Sequence, residues 1–390
     1  MNKGIAVLLL AVLAVSVCRA GQEYETPSQE SLIAWWQANG KPPVAYVTSK
    51  FGQADWVFLG EYHRVRDDLR LVIDLIPALH SRTRVRHLAL ESLCRTSTDA
   101  ANELISAPAY DRGEVIDFLR EQDPSWPYEE NLELYRTAWE SNRVFAADRG
   151  VFRFVGLHPC IDWEIANYSN DSAASERERQ KQDQYDEIMA SELAEKLLEP
   201  GHPALVFTGV AHSTAKYAEY RHGTDQQLVR MGNIVYREPW SGRMFFIALH
   251  APFWDAGAGE EIYPFDGLLD RVMLGYKAPV GFDIAGSPFA SLTHKRKSER
   301  SITALEFGQI YDGYIMHGTP VKETIGVTCI PDWIETAEEF RHFWRNLPNK
   351  EASERFSRIP LAEFRQDFCS PRVDHGLLFR NRFRNLPEVN

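Results

Sequence analysis

Glu61-Tyr62-His63 places a carboxylate and an imidazole two residues apart, directly after the apolar run Val57-Phe58-Leu59-Gly60. Side chains alternate along an extended chain, so Glu61 and His63 face the same side with Cα atoms roughly 6–7 Å apart. A pair so placed can hold a water, bind a metal, or fix each other's protonation. The same chemistry recurs further along. Each of five other apolar runs ends in an acid or a histidine: Glu91 after His87–Leu90, His158 after the 152–157 run, and His212 after Val206–Ala211. His250 follows Phe245–Leu249, and His317 follows Tyr314–Met316. Five of the chain's 12 histidines therefore stand at or just past the end of a predicted strand. A lone histidine there is an ordinary loop residue. Six strand ends carrying the same chemistry converge in space if the strands are neighbours. Gly60 and Gly209 each stand three residues before a histidine, where a missing Cβ permits a turn or a close approach.

Strand-like runs alternate with helical ones along the chain. After the first strand, Leu69, Val72, Ile73 and Ile76 share one helical face, with Asp67 and Asp68 suited to its N-terminus. Pro77 is expected to kink or end that helix. Residues 98–143 read as helical pieces divided by Pro108 and Asp123-Pro124, the last carrying Leu132, Tyr135 and Trp139. A single long helix is expected from about Ser175 to Glu199, striped by Tyr185, Ile188, Met189, Leu193 and Leu197. This alternation predicts an α/β fold: a mainly parallel sheet with helices on both faces and the site at the C-terminal ends of the strands, where crossover loops open.

The chain has 390 residues, 44% hydrophobic and 25% charged, which fits a globular protein with a sizeable core. Residues 1–20 read as a signal peptide: Lys3, an apolar run from Ile5 to Val17 too short to span a bilayer, and Cys18-Arg19-Ala20 as a cleavage site. Export to the periplasm or medium is expected; a lipid anchor on Cys18 is disfavoured because Val17 precedes it. Residues 21–390 read as one domain, with a pocket-covering insertion at about 252–300 rich in Gly, Pro and aromatics. Losing Lys3 and Arg19 takes the formal charge from −12 to −14. An acidic chain gives no reason to expect nucleic acid as a partner. No later stretch is long and apolar enough to cross a membrane. Cys94, Cys160, Cys329 and Cys369 allow three disulfide pairings, of which Cys94–Cys160 is favoured because each follows a strand closely. There is no CxxC. Ser213 and Ser92 neighbour His212 and Glu91, but neither lies in a G-x-S-x-G elbow.

The L-G-E-x-H end of the first strand, the L-A-L-E second strand and the later G-V-A-H resemble the ChaN-like, erythromycin esterase and Tiki superfamily. GFDIAGSPFASL (281–292) followed by YDGYIMHG is similar to the C-terminal part of such proteins. Glu61, His63, Glu91 and His212 are the site positions this resemblance implies. Its branches include a lactone hydrolase, metal-dependent proteases and a haem binder of bacterial iron uptake. The single residue between acid and histidine is closest to ChaN.

Two functions follow as expectations. The first is a hydrolase acting on an ester or amide, with His63 taking a proton from water, Glu61 or Glu91 orienting it, and His212 stabilising charge. The same four residues form a candidate zinc or manganese set. The second is a non-catalytic haem or iron carrier, in which His158 or His250 serves as a cofactor-binding residue and Phe253, Trp254, Tyr263 and Phe265 cover the porphyrin.

Overall fold

The computed structural model describes residues 27–122, 126–217, 219–220, 226–255, 260–295, 304–318 and 326–368. Seven strands form one sheet: β1 (Trp56–Glu61), β2 (His87–Cys94), β3 (Arg153–His158), β4 (Ala204–Gly209), β5 (Met244–Leu249), β6 (Val280–Asp283) and β7 (Gly313–Met316). Their order across the sheet is β6-β7-β5-β1-β4-β2-β3. All neighbours are parallel except β6 and β7. Residues 1–20, on which the signal-peptide expectation rests, with Cys18, and Cys369 lie outside the described residues.

The centre of this sheet is buried from both sides, which explains why Trp56–Leu59 in β1 and Ala204–Phe207 in β4 are continuous apolar runs rather than alternating. Val57 and Leu59 face one core with Leu205, Phe207 and the helices α1 (Arg66–Arg82) and α2 (Glu129–Arg149). Trp56 and Phe58 face another with Met189, Leu193 and Leu197. Helices therefore cover both faces, as expected. A third cluster around Trp36, Phe282, Phe289 and Tyr314 closes the β6–β7 end.

Three expectations need revision. Pro77 does not end its helix; α1 runs on to Arg82, because Ala78, Leu79 and His80 are buried and packing holds the last turn despite the missing donor. The long helix at 175–199 is three pieces: Ser172–Asp183, then α3 (Tyr185–Leu193), then a π-turn at Ala194–Leu198. Gln184 leaves helical geometry between the first two, at φ −101° and ψ 22°. The 252–300 segment does more than cover a pocket, since Val280–Asp283 in its middle is an edge strand of the main sheet. The helical pieces at 98–143 appear as expected, as Thr98–Leu104, Arg112–Gln122 and α2.

Candidate active site

β1 and β4 are hydrogen-bonded neighbours, and β2 lies on the far side of β4. Parallel pairing therefore delivers Glu61, Glu91 and the turn after Gly209 to one edge. Glu61 is the last residue of β1 and is buried; His63 follows in a turn. Glu91 sits where β2 breaks register, between Leu90 and Cys94, after its pairing with β4 has ended at Leu90. That irregularity frees the Glu91 carboxylate to reach across, and the Gly209 amide donates to its Oε2 at 2.6 Å. A Cβ on Gly209 would lie 2.8 Å from His63 Nε2 and 3.4 Å from Glu91 Oε2. Glycine is required there because the imidazole rests on the bare backbone.

The side chains make a symmetric arrangement. His63 Nδ1 is 2.9 Å from Glu61 Oε1, and His212 Nδ1 is 2.7 Å from Asp186 Oδ1. Both Nε2 atoms face Glu91 Oε1, at 3.9 Å from His63 and 3.4 Å from His212. Each imidazole thus has a carboxylate behind it, and the two share a third in front. With Nδ1–H directed to its own carboxylate, His63 keeps the Nε2 lone pair toward the shared centre. The His63 side chain is 32% exposed, the most open of the set, while Glu61 and Glu91 are nearly sealed.

Electrostatics bear on His212 and the carboxylates around it. Burial works against a charge on His212, but Glu91 and the bond to Asp186 outweigh it and raise its pKa above the ordinary imidazole value. Burial likewise pushes Glu91 up, yet His212 and His63, with the Gly209 amide and His158, hold its pKa below the usual range. Asp186 is also held low: burial opposes ionisation, and His212, the Met231 amide and Arg230 overcome it. His212 is accordingly the ring whose charged form the surrounding carboxylates favour.

Asp186 is the site residue the sequence reading missed. It lies in the first turn of α3, where an acid reads as an ordinary partner of the helix dipole. Its depth shows only in three dimensions: Oδ1 also accepts from the Met231 amide at 2.7 Å, and Arg230 is 3.4 Å from Oδ2. Tyr185, read as part of an apolar stripe, stacks on His212 with ring centres 5.1 Å apart and points its hydroxyl at Glu91 Oε1, 3.4 Å away.

The remaining strand-end histidines divide. His158 stands at the rim, edge-on to Tyr185, its Nδ1 accepting from the Cys160 amide. The Cys94–Cys160 disulfide ties the ends of β2 and β3 beneath it, the pairing favoured from sequence. His250 is fully enclosed, with Nδ1 on the Tyr314 hydroxyl at 2.9 Å and Nε2 on Asp270 at 3.1 Å. His317 Nε2 is 3.1 Å from Asp68 Oδ1, an ion-pair distance without hydrogen-bond alignment. Ser213 gives its hydroxyl to the Val210 carbonyl rather than to a histidine.

The implied metal finds no fitting set of side chains, and the aromatic cleft expected to cover a porphyrin is too small for one as it stands. Among the described residues no group of three or more His, Cys, Asp or Glu side chains is placed to hold a metal ion. Both His212 nitrogens and His63 Nδ1 face carboxylate oxygens, so they are spent within the cluster. A porphyrin needs a cleft of several hundred Å3. The aromatic cleft beside Tyr62 measures about 20 Å3. Tyr263 and Phe265 lie in the described part of the insertion, whereas the side chains of Phe253 and Trp254 lie outside it. No described helix is long and apolar enough to cross a membrane.

Fold and site together define a mainly parallel α/β protein with a histidine–carboxylate cluster on the carboxyl edge of its sheet. No family model and no curated protein matches the chain. Solved structures do. A succinoglycan biosynthesis protein has the same fold, at 12% identity and TM-score 0.50, covering 77% of this chain and 98% of that one. The others include an erythromycin esterase mutant, EreC, in its open conformation (13% identity, TM-score 0.47, 70% and 92% covered). Haem-binding ChaN of Campylobacter jejuni also matches (15% identity, TM-score 0.32, 52% and 84% covered). At these identities the likeness to the succinoglycan biosynthesis protein is one of fold.

Proposed function

We propose that the chain is an exported hydrolase that uses His63 to activate water against an ester or amide carbonyl. The observation that carries this reading is the pair of carboxylate-backed imidazoles turned toward one shared carboxylate, with the His63 ring the more open of the two. Glu61 fixes the Nδ1–H tautomer of His63. His63 Nε2 takes a proton from water as the water oxygen bonds to the carbonyl carbon. The carbonyl oxygen becomes an oxyanion, offset through space by the positive charge favoured on His212, whose two nitrogens stay on Asp186 and Glu91. The tetrahedral species then collapses, the bond to the leaving group breaks, and His63 returns its proton to the departing oxygen or nitrogen. Glu91 holds the two rings in register, and Asp186 keeps His212 protonated. Export is supported by the leader-like first 20 residues and by a disulfide, which an oxidising compartment preserves.

The test is a panel of ester and amide substrates assayed with the wild-type protein and His63→Gln. Turnover by the wild type, lost by about 100-fold or more in the variant with folding unchanged, is the expected outcome. Equal turnover by both proteins removes His63 as the base. A shifted Soret band on titration with haemin, together with no hydrolysis of any substrate, replaces the hydrolase with the carrier reading.

A further inference from the structure

A second organised feature includes the residue between Glu61 and His63. Tyr62, the residue between them, lines a narrow cleft with Tyr217, Phe265, Phe307, Tyr311 and Tyr314. Its walls are aromatic: Phe307 meets Phe265 at 4.5 Å between ring centres and Tyr314 edge-on at 4.9 Å. One polar atom in this wall is aimed from behind. Asp270 Oδ1 faces His250 Nε2, and His250 Nδ1 faces the Tyr314 hydroxyl, all three side chains being buried. When the ring's N–H is given to Asp270, Nδ1 accepts the phenol's only proton. The Tyr314 oxygen is then left with acceptor capacity alone. The histidine that the sequence singled out as a cofactor-binding candidate thus serves to orient a tyrosine.

The cleft is closed by a strained turn. Phe265 and Asp266 have φ of 56° and 54°, followed by Gly267 at 70°. Two successive non-glycine residues in the left-handed region persist only where surrounding packing holds them. What they hold is the Phe265 ring, against Phe307. At about 20 Å3 the cleft as it stands admits a water and no more. Withdrawing the Phe265 ring vacates the volume of one aromatic ring.

We propose that this cleft is a recognition subsite for a flat aryl group of the substrate, which displaces Phe265 and presents a hydrogen-bond donor to the Tyr314 oxygen. The word substrate rests on the hydrolytic reading; the binding itself does not. Ring faces and edges on several sides suit an aryl group over a flexible alkyl chain. An acceptor with its proton already committed selects a donor on that ring.

Binding of naphthol and of methoxynaphthalene, measured by ligand-observed NMR on the whole protein, tests this without any turnover. The wild type is expected to bind naphthol about 5–10-fold more tightly than the donor-less ether, the value of one ordinary hydrogen bond. Tyr314→Phe, which keeps the ring, should erase that preference. Phe265→Ala, at a half-buried position that tolerates truncation, should tighten both ligands. His63→Gln should leave binding unchanged. Failure of the wild type to bind either compound at millimolar concentration overturns the proposal, as does a preference that survives Tyr314→Phe. Aryl binding without hydrolysis of any ester retains the subsite and removes the proposed reaction, so the two readings fail separately.

Discussion

Asp186→Asn isolates the electrostatics of the site with little change in shape. The side chain keeps an oxygen where Oδ1 now receives both the His212 ring and the Met231 amide, each at 2.7 Å. It loses the charge that opposes the His212 cation. Exchanging a charge-assisted hydrogen bond for a neutral one costs about 1–2 kcal/mol. Because His212 is protonated on one side of its titration only, that cost lowers its pKa by about 1. Glu91, 3.4 Å from Nε2, still supports the charge, so the ring does not become an ordinary histidine. Following the His212 Cε1 proton by NMR from pH 5 to 10 measures this directly, with His212→Gln assigning the resonance. Catalysis should fall by about 10–100-fold in kcat, as when a charge-stabilising donor is weakened. The alkaline limb of the rate profile should move to lower pH in step with the resonance. If His212 titrates at the same pH in Asp186→Asn as in the wild type, Asp186 does not hold the charge, and the assignment of roles to the two imidazoles is wrong.

Other perturbations have equally definite outcomes. Gly209→Ala would set a methyl group 2.8 Å from His63 Nε2; the ring must swing away, and activity should drop by about 100-fold or more while chemical denaturation changes little. Asp68 is completely buried, and burial raises its pKa to about 6, although His317 opposes the rise. The folded state therefore holds this proton more tightly than the unfolded chain, and stability falls as pH rises from about 4 to 6. Asp68→Asn should add about 1–3 kcal/mol at pH 7 and nothing at pH 4; a gain that is the same at both pH values would refute the burial argument. Glu91 and Asp186 act with the opposite sign. Their lowered values contribute stability above the usual carboxylate range that is lost as pH falls through them; Asp186→Asn removes its share, so the variant should be less stable than the wild type at neutral pH and lose less stability on acidification. Replacing both Cys94 and Cys160 by Ala opens a 66-residue separation and should cost up to about 4 kcal/mol in urea unfolding.

The apolar runs and their punctuation were enough to place six of the seven strands and to predict that their ends share an edge. The reason is physical: a strand buried on both faces must be apolar, so a polar group at its end stands out. Val280–Asp283 escaped notice because four residues inside a glycine-rich segment carry no period. Glu61, His63, Glu91 and His212 were legible for the same reason as the strands they terminate. Asp186 was not, since a helix-start acid looks alike whether it meets solvent or an imidazole. Nor could the sequence divide the strand-end histidines. His63, with an open ring, and His250, sealed between Asp270 and Tyr314, have the same local pattern. Sequence determined which residues reach the rim, because that follows from chain order and strand length. Only the tertiary structure decided which nitrogen faces which carboxylate, because charge and tautomer depend on neighbours that α3, the Gly209 turn and the irregular end of β2 bring from distant parts of the chain.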